Sequence, residues 1–274
     1  MKKIILSTLL AGMMLPFSSC SDSEQQEPWI QWYPVVTLEG DETCQVEMGS
    51  DWTLPGFTAV NTLTGEDASS AVEVLIYDIL KGDYISSIDV NTPGMYTVYY
   101  NSYGSEVVTD PTVTKTRTVY VYDSSVDTDI SGTYIVNADN SFRVRYAGAS
   151  AGQSLSFAQV AEANSNDISA GIPVKIEQVV PGIFYVDDIE AGLVTMLYGY
   201  GAAYPSLNFQ MHAYVSLSKD NELSLLTSTF GYGGWASNYA IKDLSGTYDP
   251  ETGAIAYKVD VYNQGFYLDV VLEP

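Results

Sequence analysis

From Tyr33 to the C-terminus, apolar residues fall at alternate positions or in short runs, and long runs at a helical spacing are scarce. VEVLIY (Val72 to Tyr77), MYTVYY (Met95 to Tyr100) and RTVYVY (Arg117 to Tyr122) concentrate β-branched and aromatic side chains, the composition of strands. Between them stand turn clusters, Gly65-Glu66-Asp67, Lys81-Gly82-Asp83, Thr92-Pro93-Gly94 and Thr109-Asp110-Pro111. Short strands with regular turns predict a β-sandwich for this half. In the second half Phe142, Val144 and Tyr146 alternate with Arg143 and Arg145. Lys219-Asp220-Asn221 turns AYVSLS back into ELSLLTSTF, and TYDPETG supplies Asp-Pro and Gly turn chemistry. After it, AIAYKVDVY sets Ile255, Tyr257, Val259 and Val261 on one face, and FYLDVVLE does the same with Phe266, Leu268, Val270 and Leu272. SGTY enters a hairpin at Ser131 and again at Ser245, a match too short to establish a repeat. The pattern predicts an all-β chain, a β-sandwich followed by an antiparallel β-barrel or β-sandwich.

The first 32 residues follow a different logic. Lys2 and Lys3 precede an uncharged run from Ile4 to Leu15, and small residues follow. This is the three-part layout of a secretory signal peptide, assigned to residues 1–19. The run is too short to span a bilayer, which takes about 20 apolar residues in a helix. Ser18-Ser19-Cys20 resembles a bacterial lipobox, in which the cysteine is acylated, although Phe17 stands where leucine is usual. The acidic SDSE after Cys20 resembles the export signal of surface lipoproteins in Bacteroidetes-type bacteria. Residues 20–32 then read as a lipidated cysteine and a flexible tether. A secreted protein with a stray cysteine is the alternative.

Charge narrows the partners. Removing residues 1–19 takes away Lys2 and Lys3 and leaves 9 basic against 34 acidic residues, a net charge of −25. Such a surface repels nucleic acid and anionic head groups, so nucleic acid is excluded as a partner and the membrane is met through the lipid anchor. With Cys20 acylated, Cys44 has no disulfide partner and is expected in the core.

MGSDWTLPGFTA (Met48 to Ala59), PGMYTVYY (Pro93 to Tyr100) and RTVYVYD (Arg117 to Asp123) resemble, in that order, the bacterial surface immunoglobulin-like family. The resemblance implies an immunoglobulin-like sandwich over residues 33–123 that serves as a spacer. The acidic DSSVDTD lacks apolar periodicity, so residues 124–130 read as a linker. From there PVKIEQVVPGIFYVDDIEAG, YGYGAAY, YVSLSKDNELSLLTS and LSGTYDPETGAIAYKVDVY resemble an uncharacterised C-terminal β-domain family. Its members occur in surface lipoproteins of gut Bacteroidetes, often with starch-utilisation-type glycan uptake systems. The resemblance covers residues 131–274 and implies context, with an outer-membrane transporter complex as a possible partner, but no reaction.

Nucleophile elbows, phosphate loops and zinc spacings are absent, and no cofactor motif is present. His212 is the single histidine, and on a strand it reads as a packed residue rather than a general base. Asp187, Asp188 and Glu190 could supply paired carboxylates for a glycosidase, but the plainer reading is a strand-end turn with ordinary carboxyls. The informative feature is aromatic, with 22 Tyr and 4 Trp in the chain. In LYGYGAAYP (Leu197 to Pro205) and FGYGGWASNY (Phe230 to Tyr239), small residues interleave with Tyr198, Tyr200, Tyr204, Tyr232, Trp235 and Tyr239. Glycine suits loops that present flat rings outward, and such rings stack on sugar faces while Asn238 bonds to hydroxyls. The other reading is that these rings fill the core. The expectation is a non-enzymatic outer-membrane lipoprotein facing the exterior that binds glycan for a polysaccharide uptake system. A structural or assembly component that binds a partner protein is the alternative, and a glycoside hydrolase ranks last.

Overall fold

The computed structural model describes residues 34–103, 113–235, 239–261 and 264–274. The signal peptide, Cys20 and the tether, together with Asn238, lie outside the described residues.

The first sheet system holds β1 (Pro34–Leu38), β2 (Thr43–Glu47), β3 (Phe57–Asn61), β4 (Val72–Asp78), β5 (Asp83–Ile85), β6 (Gly94–Ser102) and β7 (Val113–Tyr122). β1 and β3 form a two-stranded sheet, and the other five run in the order β2-β7-β6-β4-β5, with β2 parallel to β7 and the rest antiparallel. Val36 and Ala59 from the small sheet meet Val46, Val98, Tyr100, Val119 and Val121 from the large one. The core thus lies between two sheets, as a sandwich requires. Arg117 is fully buried in it. Its guanidinium donates to the carbonyls of Glu39, Asp41 and Pro55 and to the Tyr100 hydroxyl. Those carbonyls belong to the loops entering β2 and β3. One side chain therefore satisfies three partly buried carbonyls and a buried phenol, and a buried polar group left unpaired costs about 1–3 kcal/mol. Cys44 is half-buried against this core, and loss of solvent raises its thiol pKa.

The second half is a closed barrel. β8 (Gly132–Val136), β11 (Pro173–Val180), β12 (Ile183–Val186), β13 (Met211–Leu217), β14 (Glu222–Phe230), β15 (Ile241–Tyr248), β16 (Ile255–Val261) and β17 (Phe266–Glu273) pair antiparallel in that order. β17 returns to β8 through Leu272↔Val136 and Glu273↔Ile135 and closes the circuit. β9 (Phe142–Arg145) and β10 (Ser154–Ser156) extend the sheet from the other half of β17. Eight strands give an interior just wide enough for side chains to fill. The alternation seen in the sequence does this, since Ile255, Tyr257, Val259, Val261, Phe266, Leu268, Val270 and Leu272 are all buried.

Two departures from the sequence pattern stand out. Helix α1 (Phe157–Ala163) follows β10, started by a reciprocal cap between Ser156 and Gln159. It buries Phe157, Val160 and Ala161. The linker is not a free segment either. Val126 and Ile130 are buried in the barrel core, and the Tyr134 hydroxyl donates to the Ile130 carbonyl. A further apolar seam joins Met95 at the start of β6 to Val180 and Ile183 of the β11–β12 hairpin.

Each sheet system encloses its own core, so fragments 34–123 and 124–274 should each fold with a cooperative transition. Both should melt below the full chain, because separation exposes the Met95 seam. Circular dichroism melts of the two fragments check this, and an unfolded fragment would refute independence.

Candidate functional site

One end of the barrel is capped by rings from three segments. The chain leaves β12 through Asp187–Glu190 and makes a π-helical turn, Leu193–Leu197. It continues into the short helix α2, Tyr200–Ala203. Gly192 and Gly199 flank the turn, both at positive φ. A Cβ on Gly192 would lie 2.5 Å from Ile172, so this path is open to glycine alone. Phe209 follows, before β13, and the loop after Phe230 supplies Tyr232, Trp235 and Tyr239.

Phe209 is the hub. Its ring centroid lies 5.2 Å from Tyr232, 5.4 Å from Tyr200, 5.5 Å from Trp235 and 6.1 Å from Tyr204. Trp235 stands parallel to Phe230 at 6.0 Å and edge-on to Tyr200 at 5.3 Å. The two glycine–aromatic loops therefore meet. Their rings turn largely towards one another. Tyr239 is buried, Tyr198, Tyr200, Tyr232 and Trp235 are half-buried against the core, and Tyr204 is exposed. The loop glycines serve close packing as much as freedom, since a Cβ on Gly231 would press on Asn208 and one on Gly234 on the Tyr232 ring. Tyr198 sits apart from the ring contacts and accepts a hydrogen bond from Arg143 Nη1 at 2.9 Å. A cavity of about 270 Å³ opens beside the cap, lined by Gly234, Trp235, Tyr239 and Gln264. Sequence reasoning missed Phe209 as the hub. Lying outside both glycine-rich stretches, it carries no local signal.

Beneath the cap lies an acidic pair that the sequence presents as an ordinary turn. Asp187 points outward and accepts from the Lys175 amide. Asp188 and Glu190 point inward and are buried. Asp188 accepts from the amides of Gly192 and Met211 and from the Thr195 hydroxyl. Burial still pushes its pKa up to about 7, with those amides opposing the rise. Glu190 has neither carboxyl oxygen in a regular hydrogen bond among the described residues. The Tyr239 phenol lies beside it without that geometry. Burial first, and the Asp188 charge second, raise Glu190 well above the usual carboxyl value. The reading of Asp188 and Glu190 as unperturbed turn carboxyls is thereby corrected. Desolvation decides their state, and Glu190 is held as the neutral acid. Glu190 lies beneath the cap beside Tyr239 and is fully buried.

His212 is hydrogen-bonded at both ring nitrogens, Nδ1 with the Tyr185 hydroxyl at 2.8 Å and Nε2 with Asn208 Nδ2 at 2.9 Å. The amide donates to Nε2, so Nδ1 carries the proton and donates to Tyr185. Neither partner is a nucleophile oriented by a base.

Comparison with known proteins places the chain. Residues 123–274, more than half of its length, match a C-terminal domain family of BT2262-like proteins. The chain belongs to that family. Residues 36–121 match the bacterial surface protein Ig-like domain, so this family member carries an immunoglobulin-like domain ahead of its barrel. Neither match is to a catalytic family. The crystal structure of the lipoprotein BT2262 from Bacteroides thetaiotaomicron is similar at 29% identity, over 88% of this chain and 100% of that one, with a TM-score of 0.40. No curated protein matches the chain.

The buried acids set a pH response. Their folded pKa values lie above the unfolded value near 4, so the contribution of each is fully present below about pH 4 and declines as pH rises, for Asp188 through about 7. Glu190→Gln keeps the neutral shape without the proton. It should melt higher than the parent at pH 7.5 and nearly level with it at pH 4.5, a difference growing by up to about 1.4 kcal/mol per pH unit. Melting curves of both proteins across this range check it, and a pH-independent difference would remove Glu190 from the response.

Proposed function

We propose that this protein is a non-catalytic lipoprotein of the outer membrane, held by acylated Cys20 and facing the cell exterior, that binds glycan in support of a polysaccharide uptake system. The observation that carries the reading is the meeting of Tyr200, Tyr204, Tyr232 and Trp235 at one end of the barrel beside an open cavity. Apolar ring surface with a few polar groups in a concavity is the general form of a small-ligand site. Tyr204 offers the free ring face, Trp235 the cavity wall, and Asn238 a polar group from the same loop. Tyr239, buried, serves as floor. The immunoglobulin-like domain then acts as a spacer between tether and barrel, and an outer-membrane transporter is the partner to which bound glycan passes.

Tyr204→Ala separates display from packing. Removing an exposed ring should cost about 1 kcal/mol of binding, roughly fivefold in affinity, with the melting temperature unchanged. Trp235→Ala should lower both affinity and melting temperature, because its ring is packed against Phe209, Phe230 and Tyr200. Pull-down on soluble and insoluble polysaccharides, with thermal melts of the same variants, checks this. Polysaccharide binding that survives Tyr204→Ala intact argues against the cap as the site.

The anchor has its own test. Cys20→Ala should move the protein from the membrane fraction to the soluble fraction, and protease added to intact cells should digest the parent. A parent that survives while a control surface protein is cut is not exposed to the exterior.

A further inference from the structure

The outer wall of the barrel holds a second concavity, of about 530 Å³, that shares no lining residue with the cavity beside the cap. Register places its lining. On β17, Tyr267 lies opposite Asp260 of β16, and Asp260 lies opposite Asp243 of β15. Two positions along β16, Lys258 lies opposite Ser245. All of these face outward, because their neighbours Leu244, Val259, Val261, Phe266 and Leu268 fill the core. Tyr146, just beyond β9, stands over the same wall with half of its surface exposed.

A strict two-residue alternation would send only one of Lys242 and Asp243 outward. The ladder between β15 and β16 shifts register between Ile241 and Asp243, and both side chains are exposed. A β-bulge re-aims a side chain in this way. It brings an additional cation to the groove in a chain that has only 11 basic residues.

Several groups in the groove already hold one another. The Tyr146 hydroxyl donates to Asp260 Oδ1 at 2.9 Å, and Lys242 Nζ approaches Asp260 Oδ2 at 3.4 Å. Lys258 Nζ sits 3.5 Å from the Tyr267 ring centroid, and the Tyr146 and Tyr267 rings lie within 15° of parallel. Two ammonium groups and two carboxylates line the groove in equal number. They also give it donors and acceptors in equal supply beside an exposed, flat aromatic face. Groups held by one another lose little freedom when a ligand arrives.

We propose that this groove is a second ligand site on the barrel wall, and that it takes a neutral oligosaccharide. A pyranose offers what the groove lacks, an apolar C–H face for Tyr146 and hydroxyls that both donate and accept for Lys242, Lys258, Asp243 and Ser245. An acidic sugar gains nothing from compensated lysines and meets a chain of net charge −23. The groove shares no residue with the cap or its cavity, so single substitutions test the two sites separately.

The test is calorimetric titration of the purified full chain with cellohexaose, maltohexaose, mannohexaose and hexagalacturonate. At least one neutral hexasaccharide should bind, and Tyr146→Ala and Lys258→Met should each weaken it about tenfold without moving the melting temperature. Tyr204→Ala should leave that affinity unchanged. Failure of all three neutral sugars to bind overturns the proposal, as does tighter binding of hexagalacturonate. A sugar lost on Tyr204→Ala but kept on Tyr146→Ala belongs to the cap and also overturns it.

Discussion

The return of β17 to β8 is the constraint on which the second half of the protein rests. Two residue pairs, Leu272↔Val136 and Glu273↔Ile135, convert an open sheet into a circuit. Without them the barrel would have two free edges and its interior would open. β17 is shared, since its first half pairs with β9 and its last residues with β8. That splitting lets β9 and β10 flare outward and carry Tyr146 over the wall. Direct pairing of β12 and β14 with β13 holds their ends close enough for the loops to form the aromatic cap.

Much of the fold is legible in the sequence because a half-buried strand must alternate. Ile255 to Val261 and Phe266 to Leu272 announce their inward faces without ambiguity, and both are buried as expected. Whether strands close or stack is decided by which strand meets the last one, a long-range pairing that leaves no local mark. Barrel and sandwich are therefore indistinguishable in the residues of either partner. Helix α1 does leave a signature, Ser156 and Gln159 three apart with apolar Phe157, Val160 and Ala161 between and after. It is short enough to pass for loop beside the strand signals around it. Val126 and Ile130 were similarly hidden by the carboxylates on either side.

The sites divide along the same line. The glycine–aromatic stretches locate the cap, but composition cannot say whether a ring faces a ligand or another ring. Phe209 decides that, by drawing Tyr200, Tyr232 and Trp235 inward and leaving Tyr204 outside. Asp188 and Glu190 look like turn residues because burial is a tertiary property, and two acids in a turn are usually wet. The wall groove depends on a register shift, which no single strand's sequence contains.

Arg117 has a consequence for how the two halves answer their surroundings. The partners of its guanidinium in the sandwich are carbonyls and a phenol rather than carboxylates. The fastening between the two sheets therefore holds no carboxylic acid. The barrel, with two acids sealed beneath its cap, does. Protonation of Asp188 and Glu190 therefore acts at the capped end of the barrel, apart from this fastening.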